Sequence, residues 1–334
     1  MSTILPTKSK HVHLAIVGAG LAGLSCATVL GHAGVKVELL EKSRGVAGRM
    51  STRRESDWQC DHGARYFTAR DPDFQTQLRQ WEKDSVASLW NTPIGIYENS
   101  QWLASPSRDL RYVGAPRMTA PAQHLAKSLT VNSSHTITHI NHVEGRWHLT
   151  TEEHGYLALK PDWLVIATPA PQALQLTQSI SPAIRMLHDQ SKTQGCWTMM
   201  LRFDRPISMP FEAAFINEGI LSWIARNNAK PLRDGPEVWV IHGQSQWSEE
   251  HMDIAPEIIA PKMIAAFMEL GGPMPADYRI HRWRYASSDP HFQPGFHIEP
   301  NHKLGFCGDW LHGGRVEGAW LSGKKLAEAI LLKM

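Results

Sequence analysis

Cysteine is scarce in this sequence, and the cysteines that occur do not form recognisable pairs. The 334 residues contain four of them, none in a C-x-x-C arrangement: Cys26, Cys60, Cys196 and Cys307. Scattered thiols argue against a disulfide scaffold and against a cysteine-based zinc site. We therefore expect buried, neutral thiols in a protein of the reducing cytoplasm.

Long apolar runs and an excess of charge are also missing. The apolar runs have the length of strands, far short of the roughly eighteen residues that indicate a membrane span. The formal net charge is +2, and no stripe of lysine and arginine marks a nucleic-acid surface. Residues 1–10 contain Lys8 and Lys10 but no apolar segment of a signal peptide. The sequence predicts no nucleic-acid partner, no membrane partner and no signal peptide.

Histidine is plentiful, with eighteen in the chain, but it does not follow metal-binding patterns. The close pairs His11/His13 and His139/His142 lack carboxylate or cysteine partners at the spacing of a metal site. We predict no bound metal.

The N-terminal region contains the pattern of a strand, a glycine turn and a helix. The apolar run His13 to Val17 leads into Gly18, Gly20 and Gly23, and a helix-forming stretch follows over residues 24–30. The first glycine of such a turn allows the tight bend, the second lets backbone amides approach a diphosphate, and the third lets helix and strand pack closely. Free N–H groups at the helix N-terminus attract phosphate.

A second strand, predicted over residues 35–40, ends at Glu41, roughly twenty residues past the glycines. Its carboxylate is expected to accept hydrogen bonds from an adenosine ribose. A purely structural strand-helix-strand unit is the alternative. The candidate dinucleotide-binding residues of this region are Gly18, Ala19, Gly20, Leu21, Ala22, Gly23, Glu41 and Lys42.

The loop that follows distinguishes between dinucleotides. Residues 42–53 are rich in glycine and arginine and include Gly48 and Arg49. This loop resembles the G-G-R segment of the flavoprotein amine oxidase superfamily, with Ala47 at the position of the first glycine. The resemblance implies FAD as the cofactor and implies that Gly48 and Arg49 contact its diphosphate.

The C-terminal region supplies a second half of the same site. A strand predicted over residues 304–307 leads into Gly308-Asp309, and a helix is predicted to begin near Val316. In the superfamily the aspartate meets the ribityl hydroxyls, and the helix N-terminus stabilises negative charge on the reduced flavin. The alternative is an ordinary C-terminal helix with Asp309 as its cap. The candidate FAD-binding residues here are Gly308, Asp309, Arg315, Val316, Glu317 and Ala319.

The most specific string covers residues 61–71, which read D-H-G-A-R-Y-F-T-A-R-D. It is similar to the D-x-G-A-Q-Y-F-T-A-R-D string of the renalase-like branch of the superfamily, with Arg65 at the usual glutamine position. For Phe67, a place in an aromatic core is an equal alternative. The implied flavin neighbours are Ala64, Arg65 and Tyr66, and the implied substrate contacts are Tyr66, Phe67 and Arg70.

The remaining patterns predict a two-domain α/β protein. Apolar periodicity predicts a helix over residues 72–90, and the apolar run at 163–169, stopped by its proline, is typical of a buried parallel strand. A hairpin is predicted within 136–159. Alternating patterns predict strands at 198–203, 221–226, 238–242 and 278–285, with a helix at 256–270.

The predicted fold class is a Rossmann-like FAD-binding domain of the p-hydroxybenzoate hydroxylase and amine oxidase type, with an inserted substrate domain of mixed or antiparallel sheet plus helices. The predicted FAD-binding domain is discontinuous and comprises residues 11–75, 136–175 and 300–334. The predicted substrate domain comprises residues 76–135 and 176–299.

Aromatic and polar side chains on the alternating strands are further substrate candidates. The chain has thirteen tryptophans, which suit a flat ligand, although core packing is the commoner role of a single tryptophan. The strings W-I-A-R-N and H-x-x-S-Q-W-S are similar to those of the renalase-like branch. The candidates are Trp223, Arg226, Asn227, His242 and Trp283.

The renalase-like resemblance implies an FAD-dependent oxidase of 2- or 6-dihydro isomers of NAD(P)H. Hydride transfer to flavin N5 would give NAD(P)+, and O2 would be reduced to hydrogen peroxide. Hydride loss yields an aromatic pyridinium directly, so no protein base is required and no catalytic residue is assigned. Because one G-x-G-x-x-G is present, NAD(P) would bind as a substrate on the second domain.

Two alternatives stay open: an amine oxidase or desaturase of the same superfamily, and a non-catalytic flavin-binding protein. Arginines placed to bind phosphate near the flavin would argue against the first. FAD is expected to be held non-covalently, because no cysteine or histidine stands where a flavin linkage would be assigned. We expect a monomer or weak homo-oligomer in the cytoplasm, with a small-molecule substrate and O2 as partners.

Overall fold

Two large sheets organise the chain in the computed structural model, which describes residues 12–334. The predictions for residues 1–10 and for His11 lie outside the described residues. The strands are β1 (His13–Val17), β2 (Lys36–Glu41), β3 (Thr52–Arg54), β4 (Gln59–Asp61), β5 (Ala87–Leu89), β6 (Ile94–Glu98), β7 (Gln101–Ala104), β8 (Tyr112–Gly114), β9 (Thr130–Ser133), β10 (Ile137–Val143), β11 (Arg146–Thr151), β12 (Gly155–Tyr156), β13 (Trp163–Ile166), β14 (Gln194–Phe203), β15 (Ala213–Ile216), β16 (Leu221–Arg226), β17 (Glu237–Gly243), β18 (Asp277–Ser287), β19 (His297–Glu299) and β20 (Leu304–Phe306).

Helices connect and cover these strands. None of them, within residues 12–334, is long and apolar enough to cross a membrane. They are α1 (Leu21–His32), α2 (Pro72–Lys83), α3 (Ala120–Ala126), α4 (Ala170–Thr177), α5 (Ala183–Ser191), α6 (Ser245–Glu250), α7 (Pro256–Glu269) and α8 (Val316–Leu331).

The first sheet is the dinucleotide-binding one. Its strand order is β19-β20-β13-β1-β2-β9, and all neighbours are parallel except β19 and β20. Along β1, Leu14 and Ile16 enter the core shared with α1 and α8, whereas Ala15 and Val17 enter the core on the opposite face. Since both faces are covered, the central strands β1 and β13 are almost wholly apolar. The predicted β1-α1-β2 unit and the buried parallel strand β13 are confirmed.

The second sheet has the order β18-β14-β17-β16-β15-β6-β7 and is antiparallel except where β15 pairs with β6. One face packs on α7, with Trp239 and Ile241 against Met263 and Phe267. The other face contributes Trp223 to the core that also holds β1 and α1. The four predicted alternating strands are confirmed, and this sheet is thereby held against the dinucleotide-binding part.

One predicted helix boundary and the placement of two strands need correction. The helix predicted over residues 72–90 ends at Lys83, because Ser85 takes a left-handed backbone conformation and the chain turns into β5. Strands β9 and β19 fall in ranges predicted for the substrate domain, yet they extend the six-stranded sheet. The pairing of β9 with β2 is non-local, whereas β19 pairs antiparallel with β20, the next strand along the chain. Both strands are too short to give a periodic signal. The predicted hairpin within 136–159 is confirmed as β10 and β11, with β12 added at its edge.

Candidate active site

The glycine turn after β1 is open on one side and tightly packed on the other. Gly18 has φ +104°, and a Cβ on Gly23 would lie 2.1 Å from the Gly18 carbonyl oxygen. Side chains larger than hydrogen are therefore excluded at Gly23. A Cβ on Gly20 would meet nothing within 4 Å. The three glycines thus have the geometry that the dinucleotide fingerprint requires.

The start of α1 faces this open side. Gly20 is the N-cap and carries no capping side chain, and the first turn, with Leu21 and Ala22, contains no acidic residue. The first N–H groups of a helix lack intrahelical acceptors and carry partial positive charge. The arrangement fits a diphosphate at the helix start.

Glu41 organises the same turn from the end of β2. Its carboxylate is 6% exposed and accepts hydrogen bonds from the backbone N–H groups of Ala19 and Ser43, both at 2.8 Å. A carboxylate offers about four acceptor positions, so capacity is left for ribose hydroxyls. The neighbouring Lys42 is exposed.

Arg49 and Asp309 are 260 positions apart in the sequence and form an ion pair. Arg49 Nη1 donates to Asp309 Oδ2 at 2.9 Å, and Nη2 donates to Oδ1. Asp309 is 6% exposed and follows Gly308 after β20. The two residues were predicted to contact different parts of FAD, and their paired charges place the loop after β2 against the end of β20. We propose that Gly48, Arg49 and Asp309 together border the FAD path.

The backbone conformation of Ala47 explains why the superfamily usually has a glycine at this position. It is a buried residue with φ +97°, a conformation that non-glycine residues rarely adopt, and its N–H donates to the Ala19 carbonyl at 3.0 Å. The loop is held in this conformation by its contact with the glycine turn.

Helix α8 brings a second uncapped N-terminus to the site. A Cβ on Gly323 would lie 2.1 Å from the Ala22 carbonyl oxygen, so α8 packs directly on the first turn of α1. Gly323 is seven residues into α8, so the helix begins about 10 Å from that contact. Its N-cap is Arg315, which makes no side-chain capping bond. Val316 and Ala319 lie in this first turn, as predicted.

Glu317 is engaged by backbone. Its Oε1 accepts hydrogen bonds from the N–H groups of Arg70 and Asp71 at 2.6 and 2.7 Å, and the residue is 8% exposed. The carboxylate therefore fixes the end of the 61–71 segment on α8.

We expect Glu317→Gln to destabilise the protein by about 1–2 kcal/mol, because two charge-assisted hydrogen bonds weaken in a buried site. Urea denaturation measures the change, and Glu328→Gln on the exposed face of the same helix is the control. Equal stability of Glu317→Gln and the wild type would contradict the bracing role.

The 61–71 segment crosses the site beneath Arg49. A Cβ on Gly63 would lie 1.9 Å from the Arg49 carbonyl oxygen, to which the Ala64 N–H donates at 2.8 Å. Phe67 is buried among Tyr112, Phe74 and Trp81, which corresponds to the core alternative. Arg70 is exposed and pairs with Asp109 at 3.2 Å.

Three aromatic side chains meet at the other end of this segment. The ring centroids of Tyr66 and Trp223 are 5.8 Å apart, and Trp90 lies 6.4 Å from each. We refer to Tyr66, Trp90 and Trp223 as the aromatic cluster. Sequence reasoning found Tyr66 and Trp223 but missed Trp90, which stands in a loop without a motif.

Each ring of the aromatic cluster has a cation over it. Arg65 Cζ lies 5.4 Å from the Trp223 ring centroid, and Arg111 Cζ lies 5.3 Å from that of Tyr66. Lys230 Nζ lies 5.7 Å from that of Trp90. The quadrupole of each ring stabilises the cation above it. Together the three cations make the surroundings of the aromatic cluster positive.

Arg65 also determines the proton position on His242. Arg65 Nε donates to His242 Nδ1 at 3.2 Å, and Nη2 donates to Ser222 Oγ at 2.9 Å. Because arginine is a donor only, Nδ1 must accept, and the neutral ring carries its proton on Nε2. Burial, and then the Arg65 charge, hold the pKa of His242 well below its ordinary value. His242 thus presents a neutral N–H donor.

The structure places three other candidates away from the aromatic cluster. Arg226 is held by Glu237 at 2.9 Å and by Glu212 at 3.3 Å. The Asn227 side chain bonds the backbone of β4, and Trp283 Nε1 donates to the His62 carbonyl at 2.9 Å. The Arg226 contacts lie within the second sheet, and those of Asn227 and Trp283 fasten that sheet to β4 and the residue after it. A substrate contact for these residues stays a prediction.

A buried ion cluster that sequence reasoning missed lies behind the site. Asp61 Oδ2 is 2.7 Å from Arg233 Nη2 and 3.2 Å from Lys230 Nζ, and these side chains are at most 1% exposed. Asp61 Oδ1 accepts from Thr52 Oγ1 and from the Met118 N–H. The cations are about 170 positions from the acid in sequence, so no local pattern signals the cluster.

The residues at the glycine turn fit FAD. Beside Gly18, the buried Oγ1 of Thr168 has no hydrogen-bond partner in the described part of the chain. Two uncapped helix starts, a buried acid at the end of β2 and this orphaned hydroxyl each suit a polar group of a bound dinucleotide. Within residues 12–334, no group of three or more metal-ligating side chains could hold a metal ion.

Family comparisons agree with this geometry. A family model described as an NAD(P)-binding Rossmann-like domain matches residues 16–81. A second, described as flavin containing amine oxidoreductase, matches residues 96–331.

Curated relatives share one short region with the chain. The L-amino acid oxidase Cdc18 of Crotalus durissus cumanensis is 49% identical over 59 residues, which are 18% of this chain and 12% of that protein. The L-amino-acid oxidase of Bungarus fasciatus is 51% identical over 61 residues, again 18% of this chain and 12% of that protein. The match thus spans about an eighth of these relatives.

Solved structures resemble nearly the whole chain. A putative protoporphyrinogen oxidase from Exiguobacterium sp. 255-15 has a TM-score of 0.77 at 14% identity, with 97% of this chain and 99% of that chain covered. Cyclohexylamine oxidase from Brevibacterium oxydans IH-35A has a TM-score of 0.72 at 13% identity, with 96% and 98% covered. The predicted fold class is confirmed.

Proposed function

This chain belongs to the family of flavin containing amine oxidoreductases, and from that premise we propose that it is an FAD-dependent oxidase of 2- or 6-dihydro isomers of NAD(P)H. FAD is its cofactor. The residues proposed to hold FAD are those of the glycine turn, Glu41, Gly48, Arg49, Asp309 and the first turn of α8.

The cations over the aromatic cluster carry this proposal. Arg65, Arg111 and Lys230 lie over its rings. The one carboxylate bonded to these cations in the described residues is Asp61, which already binds Lys230 and Arg233. A protonated or cationic amine would meet net repulsion here, whereas a flat ring with phosphate groups would be attracted.

The chain's own residues orient the substrate and exclude water. Trp223 is fully buried and Trp90 is 3% exposed, so water does not reach these two rings. His242 Nε2–H and Arg65 offer donors for a carboxamide, and neither group needs to take a proton, because hydride loss leaves an aromatic pyridinium. FAD, when bound, accepts the two electrons from the substrate and passes them to O2.

The decisive experiment mixes the enzyme anaerobically with borohydride-reduced NAD+, which contains several dihydro isomers, and separately with 4-dihydro NADH, amines and L-amino acids. Flavin bleaching by the isomer mixture, with the other donors inert, is expected. Bleaching by an amine alone would contradict the proposal. No bleaching by any donor would favour a non-catalytic flavoprotein.

An L-amino acid oxidase is the second candidate. The relatives that match at 46–51% identity are L-amino-acid oxidases, and the Arg65 guanidinium could pair with an α-carboxylate. Bleaching by L-amino acids in the same panel, with the isomer mixture inert, would support this candidate.

We expect Arg65→Met to raise the half-saturating substrate concentration about tenfold to a hundredfold, because charge-assisted hydrogen bonds contribute about 1.5–3 kcal/mol. Stopped-flow flavin reduction measures it, and Arg205→Gln on the surface is the control. Loss of the Arg65 charge also raises the pKa of His242, so protonation of His242 at acid pH begins nearer neutrality in the variant. A purely structural role would leave the pH profile unmoved.

A further inference from the structure

The positive charge around the aromatic cluster extends into a surface cleft between residues 89–94 and 104–111, which we call the 89–111 cleft. Trp90 and Arg111 line it and also belong to the surroundings of Tyr66. The 89–111 cleft therefore adjoins the proposed substrate ring site through two shared side chains.

Arg111 is a buried cation without a counter-charge. It is 8% exposed, its buried Nε has no hydrogen-bond partner, and Nη1 reaches only the Asp109 carbonyl, at 3.3 Å. A buried charge is unfavourable unless a partner of opposite charge or hydrogen bonds compensate it. Within the described residues, no carboxylate pairs with Arg111, so an anion from outside the chain would satisfy it.

The rest of the 89–111 cleft suits the same ligand. Arg108 adds a second, exposed cation, and Asn91, Ser105 and Ser107 add neutral polar groups. Among the lining residues that the structure describes, Asp109 is the one acid, and its carboxylate is paired with Arg70 at 3.2 Å. The polar lining with net positive charge is typical of a phosphate site.

We propose that the 89–111 cleft binds the phosphate groups of the substrate, with Arg111 as the principal ligand and Arg108 as a second cation. This inference rests on the proposed function, because the ring of the same molecule would lie at the aromatic cluster. It assigns the dinucleotide phosphates to the second sheet's side of the protein, outside the glycine turn.

The test compares two donors that share the dihydronicotinamide ring: the dihydro isomers of the dinucleotide, and the corresponding isomers of nicotinamide riboside, which have no phosphate. Arg111→Met keeps an unbranched, flexible side chain and removes the guanidinium group with its charge. We expect it to lower the ratio of the second-order rate constants for flavin reduction, dinucleotide over riboside, by about tenfold to a hundredfold.

Arg108→Gln is the second variant. Because Arg108 is exposed, its replacement should leave the fold intact, so any effect reports on the site itself. We expect a smaller loss of the same ratio, with Arg205→Gln unchanged. An unchanged ratio in both Arg111→Met and Arg108→Gln would overturn the proposal. So would an equal loss with both donors, since that result indicates a general structural effect.

Failure of the proposed function is recognised separately. If no dihydronicotinamide reduces the flavin, calorimetric titration of the holoenzyme with ADP and with inorganic pyrophosphate tests the 89–111 cleft directly. If ADP or pyrophosphate binds and Arg111→Met weakens that binding at least tenfold, the 89–111 cleft is a phosphate site that serves another nucleotide. No binding to the wild type, or equal binding to the variant, would overturn it.

Discussion

Asp61→Asn is expected to destabilise the protein by about 3–5 kcal/mol, because it leaves Lys230 and Arg233 buried without a negative partner. Asp61, Lys230 and Arg233 are each at most 3% exposed. The substitution keeps the shape of the side chain, so the loss reports charge and not volume. Since whole domains are stable by about 5–15 kcal/mol, the variant should unfold at a much lower urea concentration.

Two further variants make this expectation specific. Asp57→Asn removes an exposed carboxylate that lies 3.6 Å from Arg202, and such surface pairs contribute at most about 1 kcal/mol. Adding Lys230→Met to Asp61→Asn removes one of the two stranded cations and should restore part of the lost stability. A double variant that is less stable than Asp61→Asn alone would contradict the ion-cluster account.

The pH dependence of the free energy of unfolding should reveal the titration of Asp61. Burial alone would raise the pKa of the Asp61 carboxyl, but Lys230 and Arg233 outweigh it and hold that pKa well below its ordinary value. Asp61 therefore contributes its full stabilisation above the unfolded-state pKa of about 4, and the contribution is lost as the pH falls further. The stability difference between wild type and Asp61→Asn should shrink below about pH 4.

This ion cluster also shows where sequence reasoning ended. The glycine turn, Glu41 and α8 follow from local patterns, because each motif needs only neighbours within one strand-turn-helix unit. Asp61 stands in the most specific string of the chain, yet its partners come from a 3-10 turn and loop after β16. Long-range pairing of charges leaves no periodic trace in either segment.

The same distinction separates the candidate substrate residues. Tyr66, Trp223 and His242 were predicted from strings, and the structure brings them together around Arg65. Arg226 belongs to an equally family-like string, but its guanidinium is held by Glu237 at the start of β17 and by Glu212 just before β15. The face of a strand that carries the site depends on which strands pair with it. A single sequence does not give that pairing. Arg111 had no motif at all.

Gly20→Glu is expected to prevent FAD binding while the protein still folds. Gly20 has φ −73° and ψ 176°, which any residue can adopt, and a Cβ there meets nothing within 4 Å. The added carboxylate would lie at the uncapped start of α1, where a negative charge stabilises the helix by about 0.3–1 kcal/mol. The same charge would repel the diphosphate, and juxtaposed like charges cost several kcal/mol, or about a hundredfold to a thousandfold in Kd.

The absorbance of the purified protein near 450 nm, relative to that at 280 nm, measures bound flavin, and circular dichroism verifies the fold. Gly31→Glu is the matched control, because it adds the same charge near the other end of α1, where a Cβ also meets nothing within 4 Å. Gly31→Glu should keep its FAD, since its carboxylate is about three helical turns from the glycine turn. A yellow, stoichiometrically loaded Gly20→Glu protein would show that the diphosphate lies elsewhere, and the start of α1 would then need another role.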